Sequence, residues 1–408
     1  MKSVLMILAF LITTSSVFES ADAAPAFAAA DIEPAQAAPN LSIQVHCGSV
    51  GSPSIILDDS INQDTFIAIA GKSAYLTPFG ELAVSGNPLR PVLSLRTKDN
   101  IVEPCSSSSD LRQFYQNLVE DSQVLKALSD WNQWVSSRPK ACSSAVDSKA
   151  YVQPGARKVA LVLHGVFSNP QAMEATIRFL LNSGYNVIAP RLSEHFNADI
   201  KDMDKADYRN WIQDADQAFA LAEEFGPEKV TVVGYSLGGL LGSYLALKNP
   251  DKIDRLVLLA PAWRVSSVTQ TGLFLGSKFN LNLNDVTRIH ASCQTGSGYE
   301  PVVGGEQVSA LIDSIETSYG NGAEWNDSRS AFAQLKVPTL VLLGTQELAV
   351  SWWAISRICA GNSTKNCTRD YVQSGDHFDT STWVPAAPVI PNANNVSSNI
   401  LRFLGRNE

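Results

Sequence analysis

Residues 229–247 read KVTVVGYSLGGLLGSYLAL, and this stretch decides the fold. Its first part is a continuous apolar run, which is typical of a buried strand in a parallel sheet. The turn Gly234-Tyr235-Ser236-Leu237-Gly238 follows, and an apolar helical run comes directly after it. A strand, a Gly-x-Ser-x-Gly turn and a helix in this order present the serine hydroxyl above the edge of a sheet. The sequence therefore predicts Ser236 as a nucleophile rather than as part of an ordinary tight turn.

On both sides of this stretch, from Lys158 onward, apolar strands alternate with helical segments, the pattern of an α/β fold with a mostly parallel sheet. The predicted strands are 158–163, 186–189, 229–233, 255–259, 339–343 and 369–372, and the predicted helices lie near 170–183, 208–225, 237–248 and 396–404. Residues 262–336 interrupt the alternation with Trp263, Phe274, Phe279, Trp325 and a helix-like stripe of Val308, Leu311, Ile312 and Ile315. We interpret residues 262–336 as a cap or lid inserted into a domain of residues 151–408.

The N-terminus has the three parts of a secretory signal peptide. Lys2 is followed by an apolar run from Val4 to Ile12 and by small residues that end in Ala21-Asp22-Ala23. A membrane anchor would need about 20 apolar residues, and Thr13 interrupts this run too early. We expect residues 1–23 to be removed after Ala23 and the protein to be secreted or periplasmic. Residues 24–40 are rich in Ala and Pro and are expected to be a disordered spacer.

Residues 41–150 form an N-terminal extension in this interpretation. Short β-favouring runs such as 65–69 and 92–95 are separated by turn residues, which predicts a meander of strands. Residues 110–135 then show helical spacing of apolar residues. The extension could bind a partner, gate the substrate or be purely structural, and protein partners are left open.

Composition narrows the class of protein. The chain has 408 residues, 45% of them apolar and 17% charged, and a net charge of -9, so a nucleic-acid or anionic-membrane partner is not expected. Six cysteines suit an oxidising compartment, at positions 47, 105, 142, 293, 359 and 367. Six cysteines allow 15 pairings, among which Cys359–Cys367 and Cys105–Cys142 are candidates. With no CxxC pair and scattered histidines, a metal site is not expected.

A nucleophilic serine needs a base, and the base needs a carboxylate that holds its tautomer. His377, in the stretch QSGDHF, follows the last predicted strand, and Glu347 follows the strand before it. The order serine, acid, histidine along the chain is the one expected when each follows a strand of such a sheet. Each residue alone could be a solvated loop side chain. Asp376 is a rival acid, but it adjoins the histidine and would have difficulty turning back onto its ring.

An acyl-transfer site also needs two backbone N–H groups directed at the developing oxyanion. Leu237, directly after the serine, is one predicted donor. Val166 or Phe167 is the other, because both follow the predicted strand and His164-Gly165 in the stretch KVALVLHGVFSNPQAM. His164 is interpreted as a structural brace for this loop rather than as the base.

With LHGVFSNP, GYNVIAPRL, GYSLGG, VPTLVLLGTQE and GDHF in this order, the chain from about Val159 to Leu404 resembles the α/β-hydrolase superfamily. Within it, the resemblance is to carboxylesterases, monoacylglycerol-lipase-like enzymes and serine aminopeptidase-like hydrolases. It implies a Ser236, Glu347 and His377 triad with no metal or organic cofactor. Glu347 stands where this branch usually has Asp. Residues 191–196 stand where relatives often have Gly-His-Gly, which indicates an altered loop near the mouth of the site.

The sequence thus predicts a serine hydrolase that cleaves small-molecule carboxylic esters through an acyl-enzyme. A serine aminopeptidase-like peptidase is one alternative. Such an enzyme needs a carboxylate in the cap to bind the ammonium group of its substrate. The insertion contains five acidic residues that could provide it: Glu300, Glu306, Asp313, Glu316 and Glu324. A non-catalytic binding protein that kept the fold is another alternative.

Overall fold

Two β-sheets organise the part of the chain that the structure describes. The computed structural model describes residues 43–46, 54–57, 75–77, 80–87, 90–96, 122–143, 146–152, 156–267, 269–271, 293, 301–320, 328–344, 347–372 and 396–405. The predicted signal peptide, the spacer, the strand at 65–69 and His377 lie outside these residues.

The smaller sheet comes from the N-terminal extension. Its strands are β1 (Ile43–His46), β2 (Ser54–Leu57), β3 (Tyr75–Thr77), β4 (Gly80–Asn87) and β5 (Arg90–Arg96). Their order is β2-β1-β5-β4-β3, with β1 and β5 parallel and the other neighbours antiparallel. The predicted run at 92–95 lies in β5. Strands β3 to β5 form a meander, whereas the parallel pairing of β1 with β5 requires a crossover that a meander lacks.

The larger sheet confirms the predicted α/β class. Its strands are β6 (Lys149–Tyr151), β7 (Lys158–Leu163), β8 (Tyr185–Ala189), β9 (Val230–Tyr235), β10 (Ile253–Leu259), β11 (Thr339–Gly344) and β12 (Cys367–Val372). Their order is β12-β11-β10-β9-β7-β8-β6, and every neighbouring pair is parallel except β6 with β8. All six predicted strands are present within two residues of their expected ends. The antiparallel edge strand β6 was missed, because three residues are too short to show a periodic pattern.

Helices connect and cover these strands. They are α1 (Ser122–Ser137), α2 (Glu174–Asn182), α3 (Tyr208–Glu224), α4 (Leu237–Lys248), α5 (Val302–Tyr319), α6 (Trp352–Ala360) and α7 (Val396–Leu404), with 3-10 turns at Pro170–Met173, Ile200–Lys205 and Ala331–Gln334. The four helices predicted in the sheet region are present. Helix α6 was missed, because its Trp, Ile and Cys residues favour a helix only weakly. Among the described residues, no helix has the length and apolarity needed to span a membrane.

The core accounts for apolar residues that the sequence assigned to a lid. Trp263 is fully buried, donates a hydrogen bond from Nε1 to Ser243 Oγ at 2.7 Å and stacks on Phe332 at a centroid distance of 5.2 Å. The apolar stripe of α5 belongs to the same buried cluster. Trp263 and this stripe therefore stabilise the domain, and within the stripe Ile312 also lines a cavity beside α5. Phe274, Phe279 and Trp325 lie outside the described residues.

Two disulfides are present among the described residues. Cys359 is bonded to Cys367, as predicted. Cys142 is bonded to Cys293, with 5.9 Å between their Cα atoms, so the suggested pairing of Cys142 with Cys105 is wrong. The Cys142 N–H donates to Phe196 O at 2.9 Å, which places this cysteine beside the loop after β8 and within reach of the insertion. Sequence spacing could not reveal this proximity, since it depends on the tertiary fold.

Candidate active site

Strained backbone marks one edge of the larger sheet. Six described non-glycine residues have positive φ, and five of them follow the carboxyl ends of β7, β8, β9 and β10: Phe167, Glu194, Phe196, Ser236 and Ala260. Ser236 itself has φ 52° and ψ -113°. Such conformations cost about 1–3 kcal/mol each and cluster where function requires them. The carboxyl edge of the sheet is therefore the candidate active site.

The glycines around Ser236 are required by close backbone packing. A Cβ atom on Gly234 would lie 2.3 Å from Gly238 O, and one on Gly238 would lie 2.0 Å from Leu163 O. A Cβ atom on Gly165 would lie 2.7 Å from the Tyr235 ring and 3.2 Å from the Ser236 Cβ. The serine turn and the loop after β7 thus touch each other, which is the arrangement an oxyanion site between them needs.

The predicted oxyanion donors lie on these two segments. Leu237 is the first residue of α4, where backbone N–H groups have no partner within the helix. Phe167 has φ 60°, and a Cβ atom on Gly304 would come within 2.5 Å of its ring, so helix α5 packs directly on this residue. Val166 and Phe167 are both half-buried. Leu237 directly follows Ser236, at the positive end of the helix dipole, and Gly165, which precedes Val166, packs against Ser236.

His164 holds the loop after β7 to the loop after β8. Its Nε2 accepts a hydrogen bond from the Leu192 N–H at 3.0 Å, and its Nδ1 lies 2.8 Å from Gly165 O. This pair of contacts requires the proton on Nδ1. Burial lowers the pKa of His164 well below its ordinary value, so the ring is neutral at pH 7. These contacts agree with the predicted role as a brace.

Glu347 is a buried side chain, only 5% exposed. Its Oε1 accepts hydrogen bonds from Ala349 N at 2.8 Å and from Val350 N at 3.0 Å. Val350 is in turn paired with Val265 in an antiparallel bridge, which fixes residues 347–350, named the acid loop after the predicted role of Glu347, against the start of the insertion. A solvated loop carboxylate, the alternative considered from sequence, is therefore excluded for Glu347.

Ser236 and Glu347 follow strands that end at the same edge of the larger sheet. Ser236 follows β9, and Glu347 follows β11, two strands away, about 10 Å across the sheet. Val372, at the end of β12, is in register with Gly344, at the end of β11. His377 lies five positions beyond Val372 in the sequence and outside the described residues. Ser236 and Glu347 thus share the edge from which His377 would be reached.

A buried polar network behind this edge escaped the sequence reasoning. Arg191, in the loop after β8, donates to Pro139 O, to His195 O and to Asn197 Oδ1 and pairs with Asp147 at 3.3 Å. The signal available was an arginine directly after a strand end. Such a side chain, when buried, must satisfy all its N–H groups.

Next to this network, Arg138 forms a two-point ion pair with Asp214, at 2.7 and 3.0 Å. Burial raises the pKa of Glu194 to about 7, and a hydrogen bond from Asn210 offsets part of this increase. Burial also lowers the pKa of His195 to about 4. The His195 ring lies edge-on to His164, at a centroid distance of 5.0 Å. Residues 191–196 thus form a largely buried segment that hydrogen bonds hold in place.

A cavity of about 370 Å³ lies between α5 and the start of the insertion. Its lining is mixed, with two apolar and four polar side chains: Arg264, Val265, Gln270, Ser309, Ile312 and Asp313. Burial raises the pKa of Asp313, and the Arg264 guanidinium partly offsets this effect. Because Val265 pairs with Val350, which holds Glu347, this cavity adjoins the acid loop.

Comparison with known proteins agrees with this geometry. Residues 158–292 match the family model described as alpha/beta hydrolase fold. A thermostable monoacylglycerol lipase from a Bacillus species is 30% identical over 91 residues, which is 22% of this chain and 36% of that protein. A pyrethroid hydrolase from Sphingobium wenxiniae is 28% identical over 109 residues, which is 27% of this chain and 38% of that protein.

A solved structure from a study of two metagenome-derived lipolytic enzymes aligns with a TM-score of 0.45 at 18% identity, covering 58% of this chain and 91% of that one. The curated relatives are matched over little more than a third of their own length. The chain has the α/β-hydrolase fold. Over 91 residues it resembles a monoacylglycerol lipase, one of the classes that the sequence motifs predicted.

Proposed function

We propose that this protein is a serine hydrolase that cleaves carboxylic esters through an acyl-enzyme on Ser236. The observation that carries the proposal is the conformation of Ser236: a strained residue at the N-terminus of α4, in contact with Gly165, on the same sheet edge as the buried Glu347. An ordinary tight turn has no reason to keep this strain and this packing.

In the proposed mechanism, His377 takes the proton of the Ser236 hydroxyl while the oxygen attacks the ester carbonyl. Glu347 stabilises the resulting imidazolium. Because two backbone N–H groups already hold Glu347 Oε1, the carboxylate is oriented before substrate arrives. His377 then returns the proton to the leaving alcohol, and a water molecule releases the acyl group by the reverse of the same steps.

The oxyanion of each tetrahedral intermediate would be bound by the Leu237 N–H and by that of Val166 or Phe167. Donors fixed before the reaction contribute most, since they need no reorganisation as charge develops. The hydrogen bond from Leu192 to His164 and the packing of Gly304 on Phe167 support this role, because both restrict the loop that carries the second donor.

The proposed substrates are small-molecule esters. The names of the lipase and pyrethroid hydrolase relatives support this class. The cavity beside the acid loop has both polar and apolar walls, so it suits an alcohol portion that carries polar groups.

For the peptidase alternative, the cap carboxylates offer little support. Glu316 accepts hydrogen bonds from Ser330 Oγ at 2.6 Å and from Ala331 N at 2.8 Å, so it has a structural role. Asp313 lines the cavity together with Arg264, whose charge opposes a substrate ammonium. Glu300 and Glu324 lie outside the described residues. Within the described part of the cap, no contact favours this alternative over ester cleavage.

Secretion or a periplasmic location belongs to the same proposal. The two disulfides support an oxidising compartment. The signal peptide of residues 1–23, the spacer of residues 24–40, the extension of residues 41–150 and the cap of residues 262–336 complete the proposed organisation.

Labelling with a fluorophosphonate tests the nucleophile. The wild type is expected to be labelled and to hydrolyse p-nitrophenyl esters, and Ser236→Ala is expected to lose both. Ser267→Ala, an exposed serine at the start of the insertion, is the matched control and should behave as wild type. An unlabelled wild type would exclude the mechanism, whereas labelling without ester cleavage, accompanied by release of N-terminal residues from peptides, would favour the peptidase.

The acid is tested separately with Glu347→Gln, which keeps the shape of the side chain. We expect kcat to fall by about 10²- to 10⁴-fold, since the imidazolium loses its counter-charge. Asp376→Asn is the matched control and should retain most of the activity. The reverse result would transfer the role to Asp376.

A further inference from the structure

Three large apolar side chains are exposed next to the acid loop. Leu348 is 42% exposed, Trp352 is 48% exposed and Trp353 is 53% exposed. We call these three residues the tryptophan patch. Among the described residues, Tyr371 is the only other large apolar side chain with comparable exposure. Clustered exposure of this kind usually marks an interaction site.

The tryptophan patch lies on the active-site edge of the molecule. Leu348 directly follows Glu347, and the two tryptophans form the start of α6, the helix that begins where the acid loop ends. The Leu348 carbonyl accepts a hydrogen bond from Ser266 Oγ at 2.5 Å, and Ser351 N donates to Arg264 O at 2.8 Å. The patch is thus anchored to the start of the insertion and adjoins the cavity that contains Arg264.

Charge near the patch differs from that of the whole chain. Helix α6 contains no acidic residue, and its one charged side chain, Arg357, lies 4.8 Å from the centroid of the Trp353 ring. The complete chain has a net charge of -9. Indole rings with a neighbouring cation suit the boundary between water and the head groups of a lipid, where one part of the side chain is apolar and another is hydrated.

We propose that the tryptophan patch docks the protein on the surface of an uncharged or zwitterionic lipid aggregate, so that esters leave that surface directly beside Ser236. This inference deepens the proposed ester hydrolysis and rests on it for its purpose, although docking itself can be measured without catalysis. A net negative protein is repelled by an anionic surface, which favours the zwitterionic one. A second protein is less suitable, because the exposed parts of three side chains provide roughly 300 Å², below the ~800 Å² per partner of a stable interface.

The test uses the full mature chain and vesicles of phosphatidylcholine. We compare the wild type with Trp352→Ser/Trp353→Ser and with Trp352→Phe/Trp353→Phe, which keeps large apolar rings at both positions. The serine variant is expected to lose at least tenfold in vesicle binding and in hydrolysis of an emulsified long-chain ester. The phenylalanine variant should keep most of both, and all three proteins should hydrolyse dissolved p-nitrophenyl acetate at the same rate.

Equal vesicle binding by all three proteins, or no binding by the wild type, would overturn the proposal. So would stronger binding when a fifth of the lipid is replaced by phosphatidylserine, or a dimer in solution that only the serine variant loses. If the wild type binds vesicles through the patch but cleaves neither the dissolved nor the emulsified ester, the docking surface stands and the proposed function fails.

Discussion

At the scale of single residues, the strain at Ser236 is held from both sides by hydrogen bonds. Its N–H donates to Leu259 O at 2.9 Å, and its carbonyl accepts from Leu240 N at 3.1 Å and Ala262 N at 3.0 Å. These bonds join the turn to the end of β10 and to the segment after it. The unusual conformation of the serine therefore depends on the neighbouring strand as well as on its own glycines.

Gly238 and Gly242, on the same helix, allow a direct test of this packing. Gly238→Ala would place its Cβ atom 2.0 Å from a backbone carbonyl, so we expect a loss of several kcal/mol in stability and loss of ester hydrolysis. The Cβ atom of Gly242→Ala would meet side chains rather than backbone: Val232 at 3.0 Å, Leu256 at 3.3 Å and Leu258 at 3.9 Å. Because alanine has a better helix propensity than glycine, part of the cost of this crowding is offset. We expect the free energy of unfolding to change by no more than about 1 kcal/mol. Urea unfolding of both variants is the measurement, and equal losses would contradict the packing.

Glu194 should make stability depend on pH. Its pKa rises from an ordinary 4.5 to about 7 on folding, so between these values the folded state holds a proton that the unfolded state has released. This contribution to stability therefore falls as pH rises from about 4.5 through 7. Glu194→Gln removes the titrating group. In urea unfolding, we expect the stability of the variant relative to the wild type to increase as pH rises from 4.5 to 8.

Comparing the two proteins at each pH cancels the opposite effect of His195. The exposed Glu306→Gln on α5 is the control for loss of a charge. A stability difference between Glu194→Gln and wild type that stays constant with pH would contradict the raised pKa.

The sequence correctly placed Ser236 and Glu347 after two strands of the sheet, because the apolar runs of β9 and β11 are plain in the sequence. It could not show that Glu347 is buried or that backbone N–H groups hold it, since those partners depend on how the loop folds back. Arg191 and Glu194 were recognised as a departure from the family pattern. Their network includes partners from 16 to 52 positions away, which no local pattern contains.

At the scale of elements, helix α4 kept its predicted bounds because strand, turn and helix signals agree in one short stretch. Helix α6 had no such signals, and the Cys359–Cys367 bond fixes its end to the start of β12. The disulfide therefore fixes the end of a helix whose residues have only a weak helix propensity.

Removing this bond with Cys359→Ser/Cys367→Ser should lower stability by about 2.5 kcal/mol, the chain-entropy value for a separation of eight residues. Because α6 follows the acid loop, ester hydrolysis should also become more sensitive to temperature. Non-reducing urea unfolding and a temperature series of activity measure the two effects. An unchanged midpoint would show that the helix end is held by its other contacts.

At the scale of the whole molecule, the insertion and the segment before β6 are joined by the Cys142–Cys293 bond. That segment also supplies Arg138 to the ion pair with Asp214 on α3. The bond thus connects the insertion to the most heavily hydrogen-bonded wall of the site. The sequence shows six cysteines, but it does not show which of them pair. The pairing of Cys142 with Cys293 depends on the tertiary fold, which brings the two residues together.

Cys142→Ser/Cys293→Ser should cost more than the other double variant, about 5 kcal/mol, because the bond closes a separation of 151 residues. The prediction is the order of the two losses under identical non-reducing conditions. A larger loss for Cys359→Ser/Cys367→Ser would show that local strain, and not restriction of the unfolded chain, dominates.

The Cys142–Cys293 bond encloses strands β6 to β10, the serine turn and both predicted oxyanion segments in one covalent ring. A protease that cuts the oxidised chain once between positions 142 and 293 therefore opens the ring without releasing a fragment. The nicked protein would run as one species until a reductant is added, and while the bond is intact Ser236 stays covalently attached to the segment that carries Glu347.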